Sequence, residues 1–393
     1  MKVFSQAATA ADWKHCKGDV TSLLKGCDLS PDFVAVHHRA GAVAAGDFQH
    51  TSMNETAMHC ASSCQGSMQN SGVTDVGIFA ISDPDGDYGT ACATFEQDVI
   101  QTARGITETA LKRAGRVGEA PDLVWVSFTP GCEEDAIAGI EAAVGKDVPI
   151  IGGSAADDTI SGDWTVSDGA HCTGNGLVVS VLFCSTPIHF AYQNGYEPTE
   201  NVGTVTRASG RRIFEIDDKP AAEVYASWNH GAIQSAVGET QVKNILSEAT
   251  LWPLGRKIGD LGGVPNYLLA HPSLSHPDGS LELFAEVKTG EELTQMTGDK
   301  AALAARAGRV ASFALKAGEV AAGGVAGALM VYCGGCMLAV QDRLEQVYTG
   351  VDAALSGAPF LGTFTFGEQG AMHVSGNRHG NLMISCIVFT NNA

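Results

Sequence analysis

Apolar segments recur along this chain in two series, one in each half, and both series predict strands that alternate with helices. Buried strands are predicted at 123–126, 177–183, 329–332, 360–366 and 382–389, and helices at 95–113 and 300–317. The runs at 177–183 and 382–389 do not alternate with polar residues, which is typical of strands covered on both faces. The expected fold class is α/β in its mixed α+β form, β-rich with covering helices.

The turns between these segments follow the same order in both halves. An Asp-Gly turn ends at Gly86 and again at Gly279, and a Gly-Cys turn ends at Cys132 and again at Cys336. A Pro-x-x-Gly turn and a closing strand complete each series, and paired members lie about 200 residues apart. This order predicts two homologous mixed-sheet halves that arose from an internal duplication.

We expect four segments in the chain. An N-terminal extension with a helix occupies 1–29, a first domain 30–185, and the core of a second domain 242–393. The segment 186–241 connects them with a hairpin and with a helix that starts near Pro220, and it begins the second domain. A ligand pocket is expected between the halves or within the second half.

Composition restricts the function and the location. The 393 residues include 24 Lys and Arg against 44 Asp and Glu, and this net charge of -20 disfavours nucleic acid as a direct partner. No apolar stretch of signal-peptide length precedes Asp12, and eleven irregularly spaced cysteines are typical of reduced thiols, so we expect a cytoplasmic protein. The charge-free stretch 320–341 contains five glycines and predicts a loop, a strand and a helix start, with no membrane insertion.

Short motifs follow one another from about residue 30 to the end of the chain. They are Cys-Gln-Gly at 64–66, Pro-Asp-Leu-Val at 121–124, Gly-Gly-Ser-Ala-Ala-Asp at 152–157, Pro-Leu-Gly at 253–255, Lys-Thr-Gly at 288–290, Cys-Gly-Gly-Cys at 333–336 and Gly-Glu-Gln-Gly at 367–370. In this ordered set the chain resembles the FIST family, a bacterial sensory module with an N-terminal and a C-terminal FIST domain. Many members have Arg at the position of Cys336, and His-Asn where this chain has His379-Gly380-Asn381.

The resemblance implies a cytoplasmic signal-input protein that binds a small molecule such as an amino acid or a similar metabolite. We expect no enzyme, because the sequence contains no Gly-x-Ser-x-Gly, His-Glu-x-x-His or P-loop motif. The resemblance also implies a separate signalling partner, which is a histidine kinase, a diguanylate cyclase or a chemotaxis-type methyl-accepting protein. We expect no cofactor. One branch of the family is associated with haem, so a haem-binding nitric-oxide sensor is an alternative, although no Cys-x-x-Cys-His attachment signature occurs.

The first candidate site follows a buried strand of the first half. Gly152, Gly153 and Ser154 are small enough for backbone N–H groups to approach a ligand, as in anion-binding nests, and Asp157 follows them. The same glycines also suit a tight turn between close-packed strands. Both interpretations stay open, and all four residues are candidate ligand-binding residues.

Cysteines supply the second candidate site. Cys333 and Cys336 have the spacing of redox and metal-binding pairs, and they lie at a predicted strand-to-helix turn. The first half keeps only Cys132 there, which favours Cys336 as part of a structural turn or a pocket wall. The alternatives are a redox pair, a metal site whose other two ligands are Cys60 and Cys64, and an enzyme with Cys336 or Cys132 as nucleophile. The simpler interpretation of the segment with Cys60 and Cys64 is a helix end with small buried residues.

A third candidate site is the polar segment with Gly367, Glu368 and Gln369, predicted to be a turn after the strand 360–366. Glu368 is a candidate acceptor for a ligand, and the alternative is a plain bulge or hairpin turn. A buried carboxylate needs a cation. Arg343 follows Cys336 by seven residues, so one continuous helix places both on the same face. The expected partner of Glu368 is therefore either Arg343 or a cationic group of the ligand.

Overall fold

The computed structural model describes residues 1–15, 20–24, 30–43, 56–261, 263–321, 323–372 and 375–391. Its strands are β1 (Lys2–Ala8), β2 (Phe33–Arg39), β3 (Ala57–Ser63), β4 (Ser67–Gln69), β5 (Gly72–Thr74), β6 (Val76–Ser82), β7 (Asp87–Thr94), β8 (Leu123–Phe128), β9 (Ile150–Ser154), β10 (Val166–Ser167), β11 (Cys172–Thr173), β12 (Gly176–Phe183), β13 (Ile188–Gln193), β14 (Glu197–Ser209), β15 (Arg212–Ile216), β16 (Lys219–Pro220), β17 (Lys243–Asn244), β18 (Leu254–Leu261), β19 (Val264–Ala270), β20 (Pro272–Ser275), β21 (Leu281–Leu283), β22 (Glu292–Thr297), β23 (Val325–Cys333), β24 (Phe360–Thr365), β25 (Glu368–Met372), β26 (Gly376–Gly380) and β27 (Ile384–Thr390). Its helices are α1 (Ala10–His15), α2 (Val20–Leu23), α3 (Val99–Arg113), α4 (Glu133–Val144), α5 (Ala221–Trp228), α6 (Leu246–Ala249), α7 (Lys300–Ala317), α8 (Gly334–Ala339) and α9 (Leu344–Ala354).

Two six-stranded sheets share one strand order. The first sheet runs β26-β25-β9-β8-β12-β7, and the second runs β5-β4-β24-β23-β27-β13. In each, the two inner strands β8 and β9, or β23 and β24, are parallel, and β12 or β27 is antiparallel to its neighbours. Helices α3 and α4 cover the first sheet, and α7 and α9 cover the second. The prediction of mixed sheets with covering helices is confirmed, and the equal strand order is what a duplication predicts.

The outer hairpin of each sheet comes from the other half of the chain. Strands β25 and β26, from the second half, extend the first sheet, where Glu368 pairs with Gly153. Strands β4 and β5, from the first half, extend the second sheet, where Met68 pairs with Gly362. The two halves therefore complete each other's sheets.

Two further sheets surround this pair. The sheet β1-β6-β2-β3-β10-β11 packs with both six-stranded sheets around one core, which includes Phe33, Trp125 and Leu329. The connecting hairpin β14–β15 joins a nine-stranded sheet of second-half strands, covered by α5. The segment expected as an N-terminal extension contributes β1, which pairs with β6 along its whole length.

Several elements differ from the sequence-based expectation. The continuous helix expected to carry both Cys336 and Arg343 is interrupted: helices α8 and α9 are separated by Val340 and a 3-10 turn at Gln341–Arg343. The segment around Cys60 is strand β3 and not a helix end. Residues 368–370 are not a turn, because they begin β25, and the first two of them pair with β9 across the two halves.

Close contact between the two six-stranded sheets yields a first prediction. A Cβ atom added at Gly153 would overlap the Cγ2 methyl of Thr365 on β24. We expect Gly153→Ala to lower the free energy of unfolding by about 1–3 kcal/mol in urea titration, and Thr365→Ser to restore part of that loss by removing the methyl.

Gly105→Ala is the matched control, because an added Cβ at Gly105 on α3 meets nothing within 4 Å. An alanine there favours the helix, so we expect no loss of stability. The packing between the sheets would be wrong if Gly153→Ala were as harmless as the control, or if Thr365→Ser gave no recovery.

Candidate functional site

A cavity of about 310 Å³ lies between the two halves, and we call it the seam cavity. First-half residues of its wall include Trp164, whose ring meets the second-half Phe366 edge-on at 6.2 Å. Its lining residues are Pro130, Ile160, Trp164, Leu246, Ser247, Thr250, His271, Phe284, Cys333, Gly335, Leu338, Ala339, Thr365, Phe366, Gly367 and Asn381. The position agrees with the expected place of a pocket between the halves.

The lining of the seam cavity carries no Asp, Glu, Lys or Arg side chain among the described residues. Its histidine, His271, is neutral near pH 7, because burial lowers its pKa to about 4. The hydrogen bond with the Leu246 carbonyl acts in the opposite direction but is the smaller effect. Asn381 accepts the backbone N–H of His271 at 3.1 Å, whereas its Nδ2 has no partner within the described chain. The cavity is thus apolar with an unused amide donor.

Behind the wall formed by Cys333 lies a buried charged group. Cys336 Sγ is 3.3 Å from the Tyr196 hydroxyl, and Arg306 from α7 lies over the rings of Tyr196 and Tyr332. Burial alone would raise the pKa of Cys336, but the hydrogen bond with Cys333 and the charge of Arg306 lower it below its ordinary value. Burial raises the pKa of Cys333 well above that of an ordinary thiol.

Glu368 belongs to this buried group and not to the cavity lining. Its Oε1 accepts the Thr365 hydroxyl and its Oε2 accepts the Met383 N–H, both at 2.9 Å. The same peptide unit presents the Leu382 carbonyl to Arg306 at 2.9 Å, so one peptide links the carboxyl to the guanidinium. Burial raises the pKa of Glu368 to about 8, and the carboxyl is therefore protonated near neutral pH.

The Gly-Gly-Ser segment is β9, and its two glycines serve close packing. A Cβ at Gly152 would overlap the Val126 carbonyl oxygen, and one at Gly153 would overlap Thr365. Ser154 donates to Glu133 at 2.8 Å, and Gln369 Nε2 lies 3.3 Å from the Ser154 hydroxyl. These residues meet the Gly367 segment, as neighbouring strands do, but only Gly367 lines the seam cavity.

Asp157 organises a loop of the cavity wall. Its carboxylate accepts hydrogen bonds from the five backbone N–H groups of residues 159–163. Burial alone would raise the pKa of Asp157, but these N–H groups lower it below its ordinary value. The loop carries Ile160 and Trp164, so Asp157 shapes the wall without facing the cavity.

One group of acidic and histidine side chains has metal-binding spacing among the described residues. Ligand atoms of Glu133, Glu134 and His379 lie within 4.8 Å of one another. The Arg211 guanidinium bridges the two carboxylates at 2.6 and 2.7 Å, and it already supplies the cation that they require. Gln369 links Ser154 to His379, which contacts the Phe284 carbonyl at 3.1 Å. The network connects side chains of the two domains by hydrogen bonds and ion pairs, and we assign no metal to it.

Comparison with protein families agrees with the resemblance of the sequence motifs. The FIST N domain matches residues 31–219, and the FIST C domain matches residues 221–371. The chain belongs to the FIST family. FIST domains are sensory domains of signal transduction. The FIST N match extends past residue 185 through the hairpin β14–β15, and the domain limits given above stay predictions.

Three further proteins show a weak resemblance to this FIST chain. An uncharacterised protein of Methanocaldococcus jannaschii is 35% identical over 78 residues, which span 20% of this chain and 15% of that protein. A cyanuric acid hydrolase from A. caulinodans has a TM-score of 0.38 at 8% identity, covering 100% of this chain and 99% of the hydrolase. PurLQS from Thermotoga maritima has a TM-score of 0.22 at 8% identity, covering 78% and 73%. Neither structural likeness supports an argument about activity.

No described helix of the FIST chain is both long enough and apolar enough to span a membrane. This agrees with the interpretation of the charge-free stretch 320–341 as a loop, β23 and the beginning of α8.

The expected pairing of Glu368 with Arg343 is wrong. Arg343 lies in the 3-10 turn after α8, with its side chain 37% exposed and its Nε 3.8 Å from Asp342. The helix that was to carry it beside Cys336 ends at Ala339. The cation near Glu368 is Arg306, and Cys132 lies apart from this group at the start of α4.

Arg306 is a functional candidate that the sequence analysis does not identify. It lies on the buried stripe of α7 together with Leu303, Ala307 and Val310, at helical spacings of three and four residues. A lone arginine within an apolar stripe is a signal that could have found it. His271 and Phe284 reach the cavity from the nine-stranded sheet and its loops, and no local pattern of the FIST sequence indicates that.

The pKa of Glu368 yields a second prediction. Between the ordinary value of 4.5 and about 8, the folded protein holds a proton that the unfolded chain releases. This stabilisation is complete at low pH and is lost as pH rises, at roughly 1 kcal/mol per pH unit between about pH 5 and pH 7.5. Glu368→Gln imitates the protonated acid, so its stability relative to wild type should rise with pH in urea titrations.

Glu96→Gln changes an exposed carboxylate in the same way and is the matched control. Parallel stability profiles of wild type and Glu368→Gln across this pH range would contradict a protonated Glu368.

Proposed function

We propose that this FIST protein is a signal-input protein whose seam cavity binds a small, uncharged and largely apolar molecule. The observation that supports it is the uncharged lining of a cavity at the junction of the two domains. A charged ligand would lose its hydration there without meeting an opposite charge. Trp164, Phe284 and Phe366 supply contact area, and the free Nδ2 of Asn381 supplies a donor for one acceptor on the ligand.

The size of the cavity limits the ligand to about one ring system. A dry cavity of about 150 Å³ suffices for benzene. The seam cavity has about twice that volume, 310 Å³, so it accommodates a substituted single ring or a small bicyclic compound. Exposed apolar side chains at its lining, Ile160 at 45% and Leu338 at 42%, favour the entry of an apolar ligand.

The expected amino-acid ligand and the haem alternative receive less support from this lining. A zwitterion needs partners for an ammonium group and for a carboxylate, and haem propionates need cations, which the described lining does not offer. His271 Nε2, a possible axial ligand, already contacts the Leu246 carbonyl at 3.0 Å. The prediction that no cofactor is bound stays a prediction.

We also propose that the signal passes to a separate partner in the cytoplasm, of the histidine kinase, diguanylate cyclase or chemotaxis-type class. Membership in a family of sensory domains supports a signalling partner. The acidic net charge of -20 supports a protein partner more than a nucleic acid.

A comparison of indole with tryptophan tests the proposed ligand class, since the two share a ring and differ in charge. Indole should raise the melting temperature saturably, with stabilisation of about 1.4 kcal/mol at ten times its Kd. Tryptophan should give no comparable shift. Phe284→Ala removes an aromatic side chain of the cavity wall and should weaken indole binding in calorimetric titration. Asn381→Leu removes the amide donor and should weaken the binding of ligands that carry a hydrogen-bond acceptor.

Phe313→Ala is the matched control, because Phe313 is 44% exposed on α7 and is not part of the cavity lining. Tight binding of amino acids with none of indole would overturn the proposal, as would equal indole affinity in the Phe284 and Phe313 variants.

A further inference from the structure

The acidic group that acts most strongly on the buried guanidinium of Arg306 is a thiol and not a carboxylate. The Arg306 side chain is 1% exposed, with Cζ 5.2 Å from the ring centroid of Tyr332 and 5.7 Å from that of Tyr196. Nε and Nη2 have no hydrogen-bond partner in the described part of the chain, and Cys336 is the acidic group that acts on it most strongly. A buried cation is destabilising unless an anion compensates it.

Cys336 is placed to be that anion. It is fully buried, and its Sγ is 3.3 Å from the Tyr196 hydroxyl, which also lies 2.8 Å from the Thr250 carbonyl. The single hydroxyl proton of Tyr196 can therefore be donated to a thiolate at Cys336 or to the carbonyl of Thr250. A thiolate there balances the charge of Arg306.

Cys333 connects this buried thiolate with the seam cavity. It ends β23, precedes α8 and is 5% exposed at the cavity wall, whereas Cys336 lies one step deeper. The interaction between the two thiols raises the pKa of Cys333 and lowers that of Cys336, so Cys333 is the member of the pair that keeps its proton. A reagent in the cavity meets Cys333 first.

Glu368 holds a second proton beside the pair. Its Oε2 accepts the N–H of the Leu382–Met383 peptide, whose carbonyl accepts from Arg306. Leu382 has φ 55°, a left-handed conformation that side chains disfavour, and this conformation fixes the orientation of the peptide. A carboxylate at Glu368 would be joined to Arg306 through this peptide.

We infer that Cys333 and Cys336 form a redox-active pair, which a hydroperoxide that enters the seam cavity oxidises to a disulfide. The inference shares with the proposed function only the cavity as the route of access. Cys333 passes its proton to Cys336 and attacks one peroxide oxygen, so that an S–O bond forms as the O–O bond breaks. Cys336 returns the proton to the leaving oxygen, which departs as water from hydrogen peroxide or as an alcohol from an organic peroxide.

The second step closes the disulfide. The Cys336 thiolate attacks the sulfenic sulfur of Cys333, the S–S bond forms, and the S–O bond breaks. Glu368 gives its proton to the departing hydroxide, which leaves as water. Two electrons pass from the sulfurs to the peroxide, and the negative charge moves from Cys336 to Glu368. Arg306 therefore keeps a counter-ion in both redox states.

Oxidation of the reduced full chain with hydrogen peroxide tests the inference. Peptide mass spectrometry should show a disulfide between Cys333 and Cys336 that forms roughly tenfold or more faster than Cys386 is oxidised. Cys386 is an internal reference, because burial in β27 raises its pKa to about 12. Oxidation of the pair no faster than Cys386 would overturn the inference.

Two measurements examine the role of Glu368. Glu368→Gln cannot supply the proton, so disulfide closure should slow roughly tenfold or more, whereas Glu96→Gln should match wild type. Infrared difference spectra of wild type should lose a protonated carboxyl band on oxidation and gain a carboxylate band. Unchanged carboxyl bands would overturn the charge transfer even if the glutamine variant did not fold.

Indole separates this inference from the proposed function. Bound indole should slow oxidation of the pair by blocking the cavity. If indole binds and the pair stays reduced with peroxide, the redox inference alone fails. If the disulfide forms and indole neither binds nor protects, the ligand class proposed for the cavity fails instead.

Discussion

The reciprocal exchange of two β-hairpins determines where everything else in this molecule lies. Strands β25 and β26 cross from the second half to complete the first sheet, and β4 and β5 cross the other way. Without them the edges of β9 and β24 would be open, and an isolated two-stranded hairpin is marginally stable in water. Each domain therefore depends on the other for its outer strands, and we expect the two to fold as a unit.

The crossing point brings an ionisable group into the buried interior. The chain leaves β24 at Thr365 and enters β25 at Glu368, so the carboxyl is carried to the junction where α7 presents Arg306. A buried charge requires compensation by its neighbours, and Cys336 with the Leu382–Met383 peptide provides it. The neighbouring cavity lining contains no charged side chain, and this separation of charge from cavity underlies both proposed activities.

The order of elements could be predicted from sequence because apolar periodicity is a local property. Helix α7 spans the predicted residues 300–317, and the central strands lie where the apolar runs indicate. Strand partners could not be predicted, because the local sequence around Glu368 is compatible both with a turn and with a strand that pairs with β9. The break before Arg343 also lacks a signal, since neither Pro nor Gly interrupts residues 337–343. Tertiary packing decides both.

Native-state hydrogen exchange of the crossing strands tests the central claim most directly. If the exchanged hairpins hold the two FIST domains together, amides of β25 should open with the same free energy as those of β8 and β9, in one global unfolding event. The amide of Met383, bonded to Glu368, should open with them. Opening of β25 and β26 at a much lower free energy, while β8 and β9 stay protected, would contradict this account.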